Sequence, residues 1–107
     1  MTTTEHASEI PATADIELTA VLAALSDPVR LEIVRQLADA GEERTCGSFG
    51  LPVAKSTATH HFRVLREAGV VSSREEGTRK FNRLQRDDLD RRFPGLLDAI
   101  LANTKIR

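Results

Sequence analysis

The stretch KSTATHHFRVLREAG, Lys55 to Gly69, holds the densest set of side chains able to do chemistry: three hydroxyls, two adjacent imidazoles and two guanidiniums. Two neighbouring histidines raise the question of a metal centre, a proton-transfer site or a hydrogen-bonding surface. Wound as a helix at about 100° per residue, Ala58, Phe62, Leu65 and Gly69 share one face, while Ser56, Thr59, His60 and Arg63 share the opposite one. Consecutive helical residues do not face each other, so His60 joins the polar face and His61 flanks the apolar one. The spacing therefore argues against a metal shared by the pair. It argues for a helix that buries one side and offers hydroxyl, imidazole and guanidinium groups on the other. The other reactive residue is Cys46, the single cysteine. It reads as a small buried hydrophobe, as a redox or electrophile sensor whose thiolate Arg44 would favour, or as a metal ligand. A nucleophilic Cys46–His60 pair is the weakest reading. The chain offers no glycine-rich phosphate loop and no paired catalytic carboxylates, so no enzyme is expected.

Elements that could position these residues follow from periodicity and breakers. Leu18, Val21, Leu22 and Leu25 repeat at helical spacing within Asp15–Leu25. In SDPVRLEIVRQLADAG, Asp27 suits the cap, Pro28 the first helical position and Gly41 the left-handed stop. Val29, Leu31, Ile33, Val34, Leu37 and Ala38 cover more than one face of that helix, which places it centrally. Gly47, Gly50 and Pro52 leave room for only a short helix at Thr45–Phe49. The opening helix runs from about Lys55 to Ala68. VVSSREEGTRKFNRL then switches to alternation and predicts a two-stranded hairpin with its tip near Glu76–Gly77. A last helix starts near Pro94, with Leu96, Leu97, Ile100 and Leu101 as its apolar stripe.

Composition narrows the class. With 107 residues, 40% hydrophobic and 29% charged, the chain suits one soluble domain. Residues 1–12 read as a mobile N-terminal tail and 13–107 as the folded domain. No apolar run is long enough to span a membrane, and MTTTEHASEIPATAD lacks a signal-peptide pattern. One cysteine suits a reducing, cytoplasmic setting. The net charge is −1, but between Pro52 and Arg86 eight basic residues face three acidic ones. That local excess favours a polyanionic partner.

The order helix, helix, short helix, basic helix, basic hairpin, helix is that of a winged helix-turn-helix: mainly α with a two-stranded β-hairpin wing, α-α-α-α-β-β-α. In such an arrangement the basic helix enters the DNA major groove and the hairpin reaches along the backbone. LAALSDPVRLEIVRQLADAG, VAKSTATHHFRVLREAGVV and SREEGTRKFNRL, in this order and spacing, resemble the ArsR/SmtB family of small bacterial transcriptional repressors. The resemblance covers about Leu18 to Leu101. It implies a sequence-specific regulator, most simply a repressor, that binds double-stranded operator DNA as a homodimer. It also implies dimerisation through the first and last helices, with Leu18, Val21, Leu22, Leu96, Leu97, Ile100 and Leu101 as the interface. By position, Lys55, Ser56, Thr57, Thr59, His60 and Arg63 look like the recognition-helix surface, and Arg74, Arg79 and Lys80 like wing contacts. His61 reads as packed rather than contacting. Where the family often has a capping Ser, this chain has Ala54, so Ser56 is expected to cap a helix that begins later.

Control of binding is less defined by sequence. Metal-sensing members often carry paired cysteines near the position of Cys46, or Asp and His ligands on the last helix. Here Cys46 stands alone and Arg86–Arg107 has no His or Cys. The expectation is no cofactor, with a weak Ni or Zn site left open, including one built from Cys46, His6 and a partner subunit's carboxylates. Two alternatives stay beside the main reading. One is a metal- or thiol-responsive version of the regulator, with Cys46 as the sensor. The other is a winged-helix interaction module that acts through an accessory protein.

Overall fold

The computed structural model describes residues 13–104. The expected tail, and His6 within it, lie outside the described residues. A 3-10 turn at Thr13–Asp15 precedes α1 (Leu18–Ala24), so the first helix is shorter than its periodicity suggested. Glu17 offers no capping bond. Ile16 instead turns into the core, and its carbonyl accepts from Arg92 Nε at 3.1 Å.

Helix α2 (Pro28–Ala40) forms as its end signals require. Asp27 accepts from the backbone N–H groups of Val29 at 2.8 Å and Arg30 at 3.2 Å. Gly41 closes the helix at φ 70°, a left-handed conformation that glycine adopts without a Cβ clash. Ile33, Val34 and Leu37 of α2 are at the centre of the core.

The short helix expected at Thr45–Phe49 is a 3-10 turn at Cys46–Ser48, and a two-residue strand not foreseen, β1 (Arg44–Thr45), precedes it. β1 pairs antiparallel with a hairpin formed by β2 (Val71–Glu76) and β3 (Arg79–Leu84). The sheet therefore has three strands in the order β1-β3-β2. Two residues carry no periodicity, and their pairing partners lie far along the chain, so no local pattern announces β1. The hairpin turn is Gly77–Thr78, one residue beyond the expected tip.

Between β1 and the hairpin lies α3 (Lys55–Glu67). It stops in a paired-bond motif: Gly69 N–H donates to the Arg66 carbonyl and Val70 N–H to the Leu65 carbonyl, both at 3.0 Å. This sharp exit, at φ 85° for Gly69, sends Val70 and Val71 straight into the core.

A helix not foreseen, α4 (Arg86–Arg92), follows the hairpin. RDDLDRR has one apolar residue, Leu89, and so no stripe to detect. Its charges nevertheless suit the helix dipole, with Asp87 and Asp88 in the first turn and Arg91 and Arg92 in the last. The last helix, α5 (Leu96–Thr104), begins after Pro94 and Gly95 and packs on α2 and α4. No helix among the described residues is long and apolar enough to cross a membrane.

Candidate nucleic-acid interface

Helix α3 is amphipathic as its spacing predicts. Phe62 and Leu65 are buried, Ala58 packs partly against the core, and the Phe62 ring meets Phe49 edge-on at 5.3 Å. On the other side Lys55, Ser56, Thr57, Thr59, His60 and Arg63 are all exposed. The helix begins at Lys55 with Ala54 at the cap position and no side-chain cap bond. The expected later start at a capping Ser56 is therefore corrected: the helix tolerates an uncapped first turn. The open N–H groups there, beside the Lys55 ammonium, form a positive end suited to a phosphate oxygen. Thr59 Oγ1 donates to the Lys55 carbonyl at 3.0 Å, which leaves its oxygen free to accept. Arg63, one turn further along, can present a planar fork to guanine O6 and N7 or to a phosphate.

The two histidines separate as the helix requires. His60 is exposed, whereas His61 is 7% exposed. His61 Nδ1 lies 3.1 Å from Arg30 Nη1. Arginine only donates, so Nδ1 accepts and the ring proton sits on Nε2. The same guanidinium donates through Nε to the Ala24 carbonyl at 2.5 Å. Arg30 thus bolts the end of α1 and the inner side of α3 to α2, and so fixes the pose of the exposed face.

The three expected wing contacts differ in their surroundings. Arg74 hydrogen-bonds Glu43, donates to Glu76 Oε1 at 2.9 Å and lies over the Phe81 ring at 4.5 Å. Hydrogen bonds to Glu43 and then Glu76 raise the Arg74 pKa, and the bond from Arg74 holds the Glu43 carboxyl below its ordinary value. Arg74 therefore acts within the chain as a clamp from β2 across β3 to the residue before β1. Arg79 is exposed near the hairpin tip with its guanidinium 5.4 Å from the Phe81 centroid. Lys80 is half-buried and pairs loosely with Glu75 at 3.8 Å.

Cys46 is half-buried, and its Sγ accepts from Asn82 Nδ2 at 3.0 Å. The expected support from Arg44 is redirected. Its guanidinium bonds Gln36 Oε1 at 2.8 Å and Ser48, and stacks over Phe49 at 4.7 Å. Among the described residues, no three His, Cys, Asp or Glu side chains gather to hold a metal ion.

Of the residues expected at a dimer interface, Leu18 and Leu22 are 43% and 44% exposed, and Leu96, Ile100 and Leu101 are partly buried. Val21 and Leu97 differ from these. At 1% and 2% exposed they are buried in the chain's own core.

A helix-turn-helix domain family matches residues 25–74, which spans α2, β1, α3 and the start of the wing. An HTH-type transcriptional regulator of Bacillus subtilis, YceK, is 38% identical over 82 residues, covering 75% of this chain and 82% of that protein. One from Methanocaldococcus jannaschii is 37% identical over 62 residues, covering 57% of this chain and 70% of that protein. Among solved structures, the transcriptional repressor BigR from Xylella fastidiosa superposes with a TM-score of 0.64 at 26% identity, covering 84% of this chain and 88% of that one. A possible transcriptional regulator for arsenical resistance gives 0.61 at 27%, covering 81% and 93%.

Proposed function

We propose that this chain, which belongs to the ArsR/SmtB family of winged helix-turn-helix transcriptional regulators, represses transcription as a homodimer that sets α3 in the major groove. It is a DNA-binding regulator rather than an enzyme. The single observation that carries the finer reading is the exposed row Ser56, Thr59, His60 and Arg63 on a helix whose opposite side is locked into the core. A rigid helix of this kind can hold hydroxyl, imidazole and guanidinium groups at base edges without first ordering them. Arg79 and Lys80 lie on the wing, where they reach phosphates or a narrow minor groove. The exposed Leu18 and Leu22, with the partly exposed side of α5, form the surface for a second copy. A two-fold axis would then present two α3 helices to successive half-sites.

Titration against the duplex upstream of its own coding region and against scrambled DNA, at several salt concentrations, tests the reading. Arg63→Ala should lower the ratio of specific to random affinity, because a bidentate base contact contributes roughly 1–3 kcal/mol of discrimination. Lys80→Ala should weaken both duplexes alike and reduce the salt slope by about one unit, as for one lost phosphate contact. Equal weakening of both duplexes by Arg63→Ala would make it a phosphate clamp. No effect from either variant would move the function to a protein partner.

A further inference from the structure

Asn82 is the one buried polar residue of the described wing, at 0% exposed. It sits on the central strand, directly opposite Arg44 of β1 and Ser73 of β2. Residues directly opposite across a ladder share a face, and alternate residues along a strand do too. Val71 with Leu84, Ser73 with Asn82, and Glu75 with Lys80 therefore form successive rungs on one side of the hairpin. Along these rungs the surroundings change from core to solvent: Val71 is buried, Ser73 is half-buried and Glu75 is exposed. Asn82 occupies the last buried rung, where the wing leaves the body of the protein, and Lys80 is the next rung out.

Both polar ends of the Asn82 side chain are bonded at that exit. Its Oδ1 accepts from Ser73 Oγ at 2.6 Å and its Nδ2 donates to Cys46 Sγ at 3.0 Å. One amide thus joins β2, β3 and the turn that follows β1. A buried amide without partners costs free energy, so its two bonds make one register and one wing pose better than their neighbours. An apolar side chain of similar size would fill the space without that directionality.

We infer that Asn82, held between Ser73 and Cys46, is a positioning residue that aims the wing at DNA without touching it. This inference rests on the reading of Lys80 as a wing contact. Cys46 takes the role of a hydrogen-bond acceptor, which accounts for a half-buried thiol at a place where sequence alone left its role open.

A double-mutant cycle on DNA binding tests the assignment, with Asn82→Leu and Lys80→Ala singly and together. In the otherwise native chain, Lys80→Ala should weaken binding severalfold and lower the salt slope by about one unit. In the Asn82→Leu background, Lys80→Ala should have little further effect, because the wing no longer sits where Lys80 meets a phosphate. The loss caused by Arg63→Ala should persist in that background, since α3 keeps its own anchors. Cys46→Ala, which strips the acceptor and leaves Asn82 in place, should behave as Asn82→Leu does and covers the event that Asn82→Leu fails to fold. Cys46→Ser supplies an acceptor oxygen and should restore wing-dependent binding. A merely destabilising role would instead give additive losses and no rescue by serine. If Lys80→Ala is silent in the native chain, the wing-contact reading fails, and this inference with it. If Lys80→Ala keeps its full effect in the Asn82→Leu and Cys46→Ala backgrounds, the wing reading stands and the positioning role is overturned.

Discussion

Removing the cap of α2 is the sharpest perturbation of the scaffold that carries α3. Asp27 accepts two backbone N–H groups, at 2.8 Å and 3.2 Å, at the head of the 13-residue helix that supplies Ile33, Val34 and Leu37 to the core. Asp27→Ala leaves both donors without a partner, a loss of about 1 kcal/mol with a range of roughly 0.5–2. For a domain of this size each kcal/mol moves the midpoint by roughly 4–8 °C. Asp27→Asn keeps an acceptor but discards the charge at the positive helix end, a smaller loss of roughly 0.3–1 kcal/mol. The pH dependence separates the two contributions. Burial alone would raise the Asp27 pKa. The N–H groups of Arg30 and Val29, with the nearby Arg30 charge, outweigh it and hold the group below its ordinary 3.8. A carboxylate with a depressed folded pKa stabilises the fold fully above its unfolded pKa and loses that contribution as pH falls through the folded one. The gap between wild type and Asp27→Asn should therefore be full at pH 7 and close as the pH falls below about 4. Thermal unfolding followed by circular dichroism, at one fixed protein concentration because association shifts the midpoint, measures it. An Asp27→Ala midpoint equal to wild type at pH 7, or a gap to Asn that stays constant down to pH 3, would refute the reasoning.

Leu22→Asp should give a folded chain that sediments near 11.8 kDa where wild type sediments near twice that mass, because Leu22 is 44% exposed and the charge falls on the proposed contact surface. Leu97→Asp should unfold the protein instead, since Leu97 is 2% exposed within its own core, and a folded Leu97→Asp monomer would contradict that placement. Arg74→Ala and Glu43→Gln each break the same wing clamp, so they should change DNA affinity by similar factors. If only Arg74→Ala weakens binding, Arg74 touches DNA directly.

Local chemistry determined much of this protein. The cap at Asp27, the stops at Gly41 and Gly69, the two faces of α3 and the hairpin alternation are all set by residues within a few positions of one another, so the linear pattern carries them. The same locality places Ser56, Thr59, His60 and Arg63 on an exposed row and turns His61 inward. Long-range pairing decided the rest. β1 exists because Arg44 and Thr45 find Asn82 and Phe81, and a two-residue strand has no signal of its own. α4 follows from charges at its ends and from the burial of a single leucine, which leaves no stripe to read. Leu97 and Leu101 belong to one apolar stripe, yet the packing of α5 buries one of them fully and the other only in part. Arg74 and Arg79 are equivalent in sequence, two basic residues flanking one turn, but only Arg74 lies across from Glu43 and becomes a clamp. Which charge meets which, over a separation of 31 residues, is a property of the sheet, and periodicity along the chain contains no information about it.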